Sequence, residues 1–411
     1  MVDVVYERCC GLDIHKRSVV ACLIVSGEAA EPRKEIRTFG TLTDELLELA
    51  DWLAEAGCTR VAMESTGVYW KPIYNLLEGS FELLLVNARH IKQVPGRKTD
   101  VKDCEWIADL LRHGLLRASF VPDRAQRELR ELTRYRTSLI RERTAEANRL
   151  QKTLEGANIK LGSVASNVLG VSGRQMLAAL VAGTSDPSTM AVLARGKLRD
   201  KVPELERALT GRIGAHQRFM LAKQLAHLDA LDELIEQVSA EVHERLHPFA
   251  AEVVHLDTIP GVGLRTAETL VAEIGTNLER FPSAGHLASW AGMCPGNDES
   301  AGKRRSGTTR TGDPWLRSAL IEAAQAAART RRSYLAAQYH RLAGRRGKKK
   351  ALVAVGHSIL VIAYHLLSRQ AEYRDLGPTY FDQRDPERLS RRLVKRLQAL
   401  GYSVSLEHSA A

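Results

Sequence analysis

Asp100 and Asp103 stand three residues apart in the stretch 97 to 111, at what reads as the start of a helix. Thr99 or Asp100 can cap that helix, and Ile107, Leu110 and Leu111 keep helical spacing behind it. This spacing turns both carboxylates the same way, as a hard divalent cation requires when it binds through few protein oxygens. Acidic residues in a first turn also have a plainer use, since they favour the helix macrodipole. The choice depends on whether further carboxylates reach the same place. Asp13 ends the first apolar strand and Glu64 ends the fourth, and in an open sheet the strand ends beside a change in strand order form a crevice. Four acids gathered there repel one another unless cations compensate, which points to two Mg2+ ions, with Mn2+ as the alternative metal. Two metals about 4 Å apart activate an attacking oxygen and stabilise a leaving one, which is phosphodiester chemistry.

Two later stretches can also meet phosphate. Gly261-Val262-Gly263 precedes a helix, where backbone N–H groups can face an anion, as in a helix-hairpin-helix nucleic-acid element. As a helix start, the same turn needs no function. The segment Asn297 to Thr311 is polar, glycine-bearing and basic, and is expected to be an exposed loop. It holds Ser300 and Ser306 together with Lys303, Arg304, Arg305 and Arg310. A hydroxyl among such cations is placed to attack a phosphorus whose charge they offset. Residue types alone fit a basic, mobile, DNA-touching loop without covalent role better.

The elements that must position these residues follow from pattern. Cys9 to Ile14 and Ser18 to Val25 are β-rich runs joined through His15-Lys16-Arg17, and Lys34 to Phe39 is a third strand. Thr41 or Thr43 is expected to cap a helix carrying Leu42, Leu46, Leu47, Leu49, Ala50 and Leu53. Arg60 to Met63 suits a central strand, Val68 to Leu77 a helix with Pro72 in its first turn, and Phe81 to Val86 a fifth strand. The order β-β-β-α-β-α-β-α describes an α/β unit with a mixed sheet covered by helices, the arrangement of an RNase H-like nuclease core, in which the first and fourth strands are central neighbours.

From about 123 the chain turns helical. Asp123 to Gly156 is rich in arginine (124, 127, 130, 134, 136, 141, 143 and 149), and a second long helix, about 213 to 247, repeats apolar residues near heptad spacing. Together they read as an antiparallel arm or a dimerising coiled coil. The arginines suit either nucleic-acid contact or a solvated face balanced by Glu128, Glu131, Glu142 and Glu146. A mainly α region follows Leu256. It has one helix to Ile274, one opened by Asp313 and Pro314 that runs to about Leu342, and one from Lys348 to Gln370. The tail past 375 holds a basic helix, Pro386 to Leu400, without evident chemistry. The expected domains are 1–122 (catalytic), 123–250 (helical arm), 251–375 (bearing Ser300) and 376–411 (basic tail).

Composition agrees with this plan. A chain of 411 residues with 44% hydrophobic and 26% charged residues suits a globular protein of two or three domains. Its 59 lysines and arginines against 49 acids, a formal +10, suggest a polyanionic partner. The six cysteines are scattered without C-x-x-C spacing, so they read as small buried residues or free thiols of a reducing cytoplasm. The N-terminus lacks the order of a signal peptide, and the apolar run Ala351 to Leu367 is short and interrupted by His357, Ser358 and His365. No membrane role is expected.

Gly11-Leu12-Asp13-Ile14-His15-Lys16, Met63-Glu64-Ser65-Thr66-Gly67 and Lys98-Thr99-Asp100-Val101-Lys102-Asp103 resemble the three acidic motifs of the DEDD insertion-sequence transposases, the IS110 family. Ile259-Pro260-Gly261-Val262-Gly263, Phe281-Pro282-Ser283, Glu299-Ser300-Ala301-Gly302-Lys303-Arg304-Arg305 and Gly312-Asp313-Pro314-Trp315-Leu316-Arg317 resemble that family's second domain, in the same order. The resemblance implies a RuvC-like domain, a coiled-coil arm and a serine-bearing C-terminal domain. It assigns metal binding to Asp13, Glu64, Asp100 and Asp103 and the nucleophile to Ser300. It further implies cut-and-rejoin recombination of DNA by a homo-oligomer (dimer or tetramer), with acids and serine in a composite site. An element-encoded non-coding RNA as guide and a prokaryotic, nucleoid-associated location are implied in the same way. A Holliday-junction-type nuclease using metal-activated water would need the acids but not Ser300. A non-catalytic nucleic-acid scaffold built on the arginine-rich arm would need neither.

Overall fold

Apolar runs near the N-terminus become β1 (Arg8–Ile14), β2 (Ser18–Val25), β3 (Arg33–Gly40), α1 (Thr43–Glu55), β4 (Arg60–Glu64), α2 (Trp70–Leu77), β5 (Glu82–Val86) and α3 (Asp103–Arg112) in a computed structural model. The structure describes residues 3–26, 32–65, 67–88, 91, 103–296, 298–300 and 303–407. The chain divides into two units, Met1–Pro122 and Asp123–Ala411. In the first, the strands form one mixed sheet of order β3-β2-β1-β4-β5. β1 runs antiparallel to β2 and parallel to β4, so the first and fourth strands are central neighbours, as expected.

Side chains alternate across this sheet. Cys10, Leu12, Ile14, Val61 and Met63 join Leu46, Leu49 and Leu53 of α1 and Ile73 and Leu77 of α2 in one layer. Cys9, Cys22, Ile24, Ala62 and Val86 face the other way, onto Cys104, Ile107, Ala108, Leu110 and Leu111 of α3. A Cβ built on Gly11 would stand 2.4 Å from both the Ala108 nitrogen and the Cys104 oxygen, so α3 lies on bare strand backbone. The Cys9 thiol donates to Ala108 O at 3.7 Å. The helix therefore runs back along β1, with its N-terminal end toward Asp13. Neither expected threonine caps α1. Its N-cap is Leu42, whose N–H donates to Glu45 Oε2 at 3.0 Å, while Thr41 Oγ1 donates to Lys16 O. The carboxylate three residues on satisfies the N–H group of the cap residue itself. The proposed caps of α3, Thr99 and Asp100, lie outside the described residues.

The second unit comprises α4 (Arg124–Gly156), shorter helices between 161 and 209, α5 (Ala215–Leu246), α6 (Ala250–Asp257), α7 (Leu264–Ile274) and α8 (Ala284–Trp290). A hairpin of β6 (Asp298–Ser300) and β7 (Lys303–Ser306) follows, then α9 (Pro314–Ala327), α10 (Tyr334–Arg346), α11 (Lys348–Arg369), α12 (Tyr380–Gln383) and α13 (Pro386–Ala399). α4 and α5 pack antiparallel within the chain around Leu139, Leu231 and Ile235. Glu128 pairs with Arg245, Arg143 with Asp232 and Glu146 with His227. Two expectations need correction. Within the segment 297 to 311, Asp298–Ser300 and Lys303–Ser306 are paired antiparallel strands rather than loop, because they satisfy each other's backbone. The helix from Pro314 also stops at Ala327. Arg332 takes a left-handed φ of +62°, and the Ser333 hydroxyl caps α10 by accepting from Ala336 N. α11 is long and apolar enough to cross a membrane, yet Ala351, Val355, Ile359, Leu360 and Ala363 are buried in its packing with α8, α9 and α10.

Much of the arginine in α4 is taken up inside this unit. Arg136 Nη1 donates to Glu268 Oε2 at 2.6 Å, with both side chains buried. Arg130 and Arg134 both reach Glu273, a fully buried carboxylate near the end of α7, and Arg134 Nη2 also donates to Asp313 Oδ2 at 2.9 Å. Burial pushes the Glu273 carboxyl above its ordinary value against the pull of Arg134 and Arg130, and it lowers Arg130 to about 10. Arg141 donates to Ser318 Oγ and lies over the Trp315 ring. The balance expected from α4's own glutamates holds for Arg124–Glu128 and Arg149–Glu146. Most of the other partners come from α5, α7 and the start of α9.

Two substitutions test these contacts. Gly11→Ala should cost about 3 kcal/mol by forcing α3 off β1, read as a lower midpoint in thermal unfolding of the first unit. Glu268→Ala should cost about 3–5 kcal/mol by leaving the Arg136 charge buried alone, measured by urea denaturation.

Candidate functional site

Period-two alternation settles which face the acids of the first unit occupy. Asp13 lies two residues past Gly11 and four past Cys9, so it points to the α3 side of the sheet, and Glu64, two past Ala62, does the same. Leu12 pairs with Met63 in the parallel register, and the two acids are the next residue on each strand. Asp13 is 27% exposed. Asp103 is the first residue of α3 and is exposed, and the carbonyl of the residue after it lies over Gly11. From Gly11 to Asp13 the strand advances only about 7 Å. Three of the four acids nominated from sequence therefore belong to the same face, at the C-terminal ends of β1 and β4. Asp100 lies outside the described residues. Among the described residues, no three His, Cys, Asp or Glu side chains are gathered closely enough to hold a metal by themselves. The donors at this edge are carboxylate oxygens, the type that hard divalent ions prefer.

One residue at the edge had no role assigned from sequence. His15 Nε2 stands 3.3 Å from Asp13 Oδ2 and its side chain is 60% exposed. The signal was available, since a residue two past Asp13 at a strand end points the same way. The cysteines on this face are core. Burial pushes Cys9 and Cys22 up to about 12, so both stay neutral thiols, and all six cysteines are free.

In the second unit, backbone pairing sets out the serine segment. Ser300 ends β6 opposite Lys303, Glu299 faces Arg304, and Asp298 faces Ser306. Below this the hairpin is extended by a Pro295–Thr309 bridge and by Gly296 N donating to Thr308 O at 2.9 Å. Arg317 Nη1 then donates to Gly292 O and to Thr309 Oγ1, both at 2.8 Å, which pins the hairpin's base to α9. Arg317 was part of a motif but had no role of its own. Lys303 and Arg310 are exposed, and Arg304 and Arg305 follow Lys303 along β7.

The two glycines of the α6–α7 turn part company. Gly261 has φ +88°, and a Cβ there would stand 2.3 Å from Ala323 O and 2.4 Å from Ala327 N. Packing of the turn on α9 accounts for Gly261 without any ligand. Gly263 is the N-cap of α7, exposed, with nothing within 4 Å of its Cβ position. Of the pair, Gly263 is the exposed one, and it stands at the helix start.

Comparison with known proteins covers both regions. A transposase family model named for DEDD and IS110 matches residues 10–159, which include all four acids. A second model, described as "Transposase IS116/IS110/IS902 family", matches 254–340, which include both glycines, the hairpin and Arg317. The chain is 26% identical over 334 residues to a "Probable family 20 transposase" of Pseudomonas aeruginosa, covering 80% of this chain and 89% of that protein. It is 31% identical over 256 residues to an IS116 insertion-element protein of Streptomyces clavuligerus, covering 55% of this chain and 62% of that one. With the IS1111A transposase of Coxiella burnetii it shares 24% identity over 297 residues, 71% of this chain and 72% of that protein.

Proposed function

The chain belongs to the IS110 family of transposases, and from that premise we propose that it is an insertion-sequence recombinase that cleaves and rejoins DNA with Asp13, Glu64, Asp100, Asp103 and Ser300. The observation that carries the reading is the placement of Asp13 and Glu64 side by side on adjacent parallel strands, on the face that α3 covers. In this reading the first unit is an RNase H-like (RuvC-like) core. Asp13, Glu64, Asp100 and Asp103 are the groups that would hold divalent metal, two Mg2+ ions or Mn2+ in their place. Bound there, the ions supply Lewis-acid stabilisation of charge on phosphate oxygens. Ser300 Oγ loses its proton and bonds to phosphorus while the bond from phosphorus to the displaced sugar oxygen breaks, and that oxygen takes a proton as it leaves. One phosphodiester replaces another, so rejoining needs no external energy source. Lys303, Arg304, Arg305 and Arg310 offset the phosphate charge near the serine. The partners are donor and target DNA and an element-encoded non-coding RNA, handled by a homo-oligomer, dimer or tetramer.

Asp13→Asn or Glu64→Gln should lower strand cleavage roughly 10²–10⁴-fold, the several kcal/mol of a lost metal ligand, with DNA binding retained. Chelation should stop cleavage, and added Mg2+ or Mn2+ should restore it. Wild-type transposition in these variants would rule out a catalytic first unit. Ser300→Ala should abolish a covalent protein–DNA adduct, seen as a DNA-linked band on a denaturing gel. Cleavage that persists in Ser300→Ala would replace the serine with activated water.

A further inference from the structure

The C-terminal helices make a cleft that the catalytic reading does not use. It encloses about 490 Å3 between α10, α12 and α13, and is lined by Arg341 and Arg345 of α10, Arg388 and Arg392 of α13, Phe381 and two aspartates, Asp382 and Asp385. Each arginine pair is spaced four residues apart, so its members share one helix face about 6 Å apart along the axis, and the cavity brings the two faces opposite each other. All four arginines are exposed. Among the described residues none of them has a carboxylate within 4.0 Å, whereas Arg130, Arg134, Arg136 and Arg143 of α4 are all held in ion pairs. The two aspartates do not neutralise the cleft. Asp385 is the N-cap of α13 and accepts from Arg388 N at 3.1 Å, so its carboxylate is engaged by the helix start. Four exposed positive charges against two negative ones give the cleft a net positive potential that favours an anion.

We propose that this cleft binds the phosphate backbone of a nucleic-acid strand, with Arg388 and Arg392 on one side and Arg341 and Arg345 on the other. Guanidinium groups remain charged at any working pH and grip phosphate through two parallel N–H donors. Two such groups a helical turn apart are spaced to meet neighbouring phosphates of one strand. Phe381, which lies under Arg341 at 5.4 Å and lines the cleft, offers an apolar ring beside that track. Its four arginines and Phe381 lie past residue 340, where the second family match ends. It goes beyond the catalytic proposal and shares with it only the class of partner.

The test is binding of full-length protein to labelled duplex DNA, single-stranded DNA and single-stranded RNA of equal length, in chelator, as a function of salt. Chelator silences cleavage, so the result stands or falls separately from the catalytic reading. Arg388→Ala with Arg392→Ala should flatten the slope of log affinity against log salt by about 1.4 on a single strand or about 1.8 on a duplex, for two lost phosphate contacts. The ligand whose slope falls identifies the strand the cleft holds. Arg388→Lys with Arg392→Lys should keep the slope, because the charges remain. Unchanged slopes for all three ligands in the alanine pair would overturn the proposal. So would a lysine pair that loses as much slope as the alanine pair, since that would mark a packing effect.

Discussion

A helix can rest its backbone on a strand only where the strand has no side chain, and Gly11 provides that place in the middle of β1. The placement of α3 on the sheet follows from this contact. It fixes the height of α3 above the sheet and lets Cys104, Ile107, Ala108 and Leu111 reach Cys9, Cys22 and Ala62. It also fixes how α3 crosses β1, which sets Asp103 on the sheet face that already carries Asp13 and Glu64. Packing of a large apolar layer thus positions polar groups at its edge without any of them having to stabilise the fold.

The second unit is organised by the opposite kind of constraint. Glu273 and Glu268 are buried acids, and a buried charge is tolerated only when a partner reaches it. Those partners are arginines of α4, and through Arg134 and Asp313 the same network reaches the start of α9, the helix to which Arg317 pins the serine hairpin. One set of ion pairs therefore ties the long helix, the helix after the glycine turn and the support of the serine segment together. It also separates two uses of arginine. In α4 the guanidinium groups serve the fold, whereas in α10 and α13 they line an open cleft.

Most element types could be read from residue pattern. The β-β-β-α-β-α-β-α order, the ends of α4 and α5, the Asp313 and Pro314 helix start and the basic tail helix all agree with apolar period and capping chemistry. Where pattern failed, the cause was local competition. A glutamate displaced the expected threonine caps of α1, paired strands replaced a basic loop, and Arg332 and Ser333 broke what read as one helix. For the arginines, sequence offered solvent or nucleic acid, and the main answer was a third, acids distant in sequence.

The sequence by itself determined which residues are candidates for chemistry: acids at strand ends and at a helix start, and a serine among cations. Side-chain type and spacing are local properties, and the motifs that carry the family resemblance are made of them. Only the tertiary structure decided which carboxylates share a face, because that depends on strand order and on the direction in which α3 crosses β1. It alone gave Gly261 a packing role against α9 and left Gly263 exposed. It alone told buried arginines from available ones, since identical side chains differ only in whether the fold brings an acid to meet them.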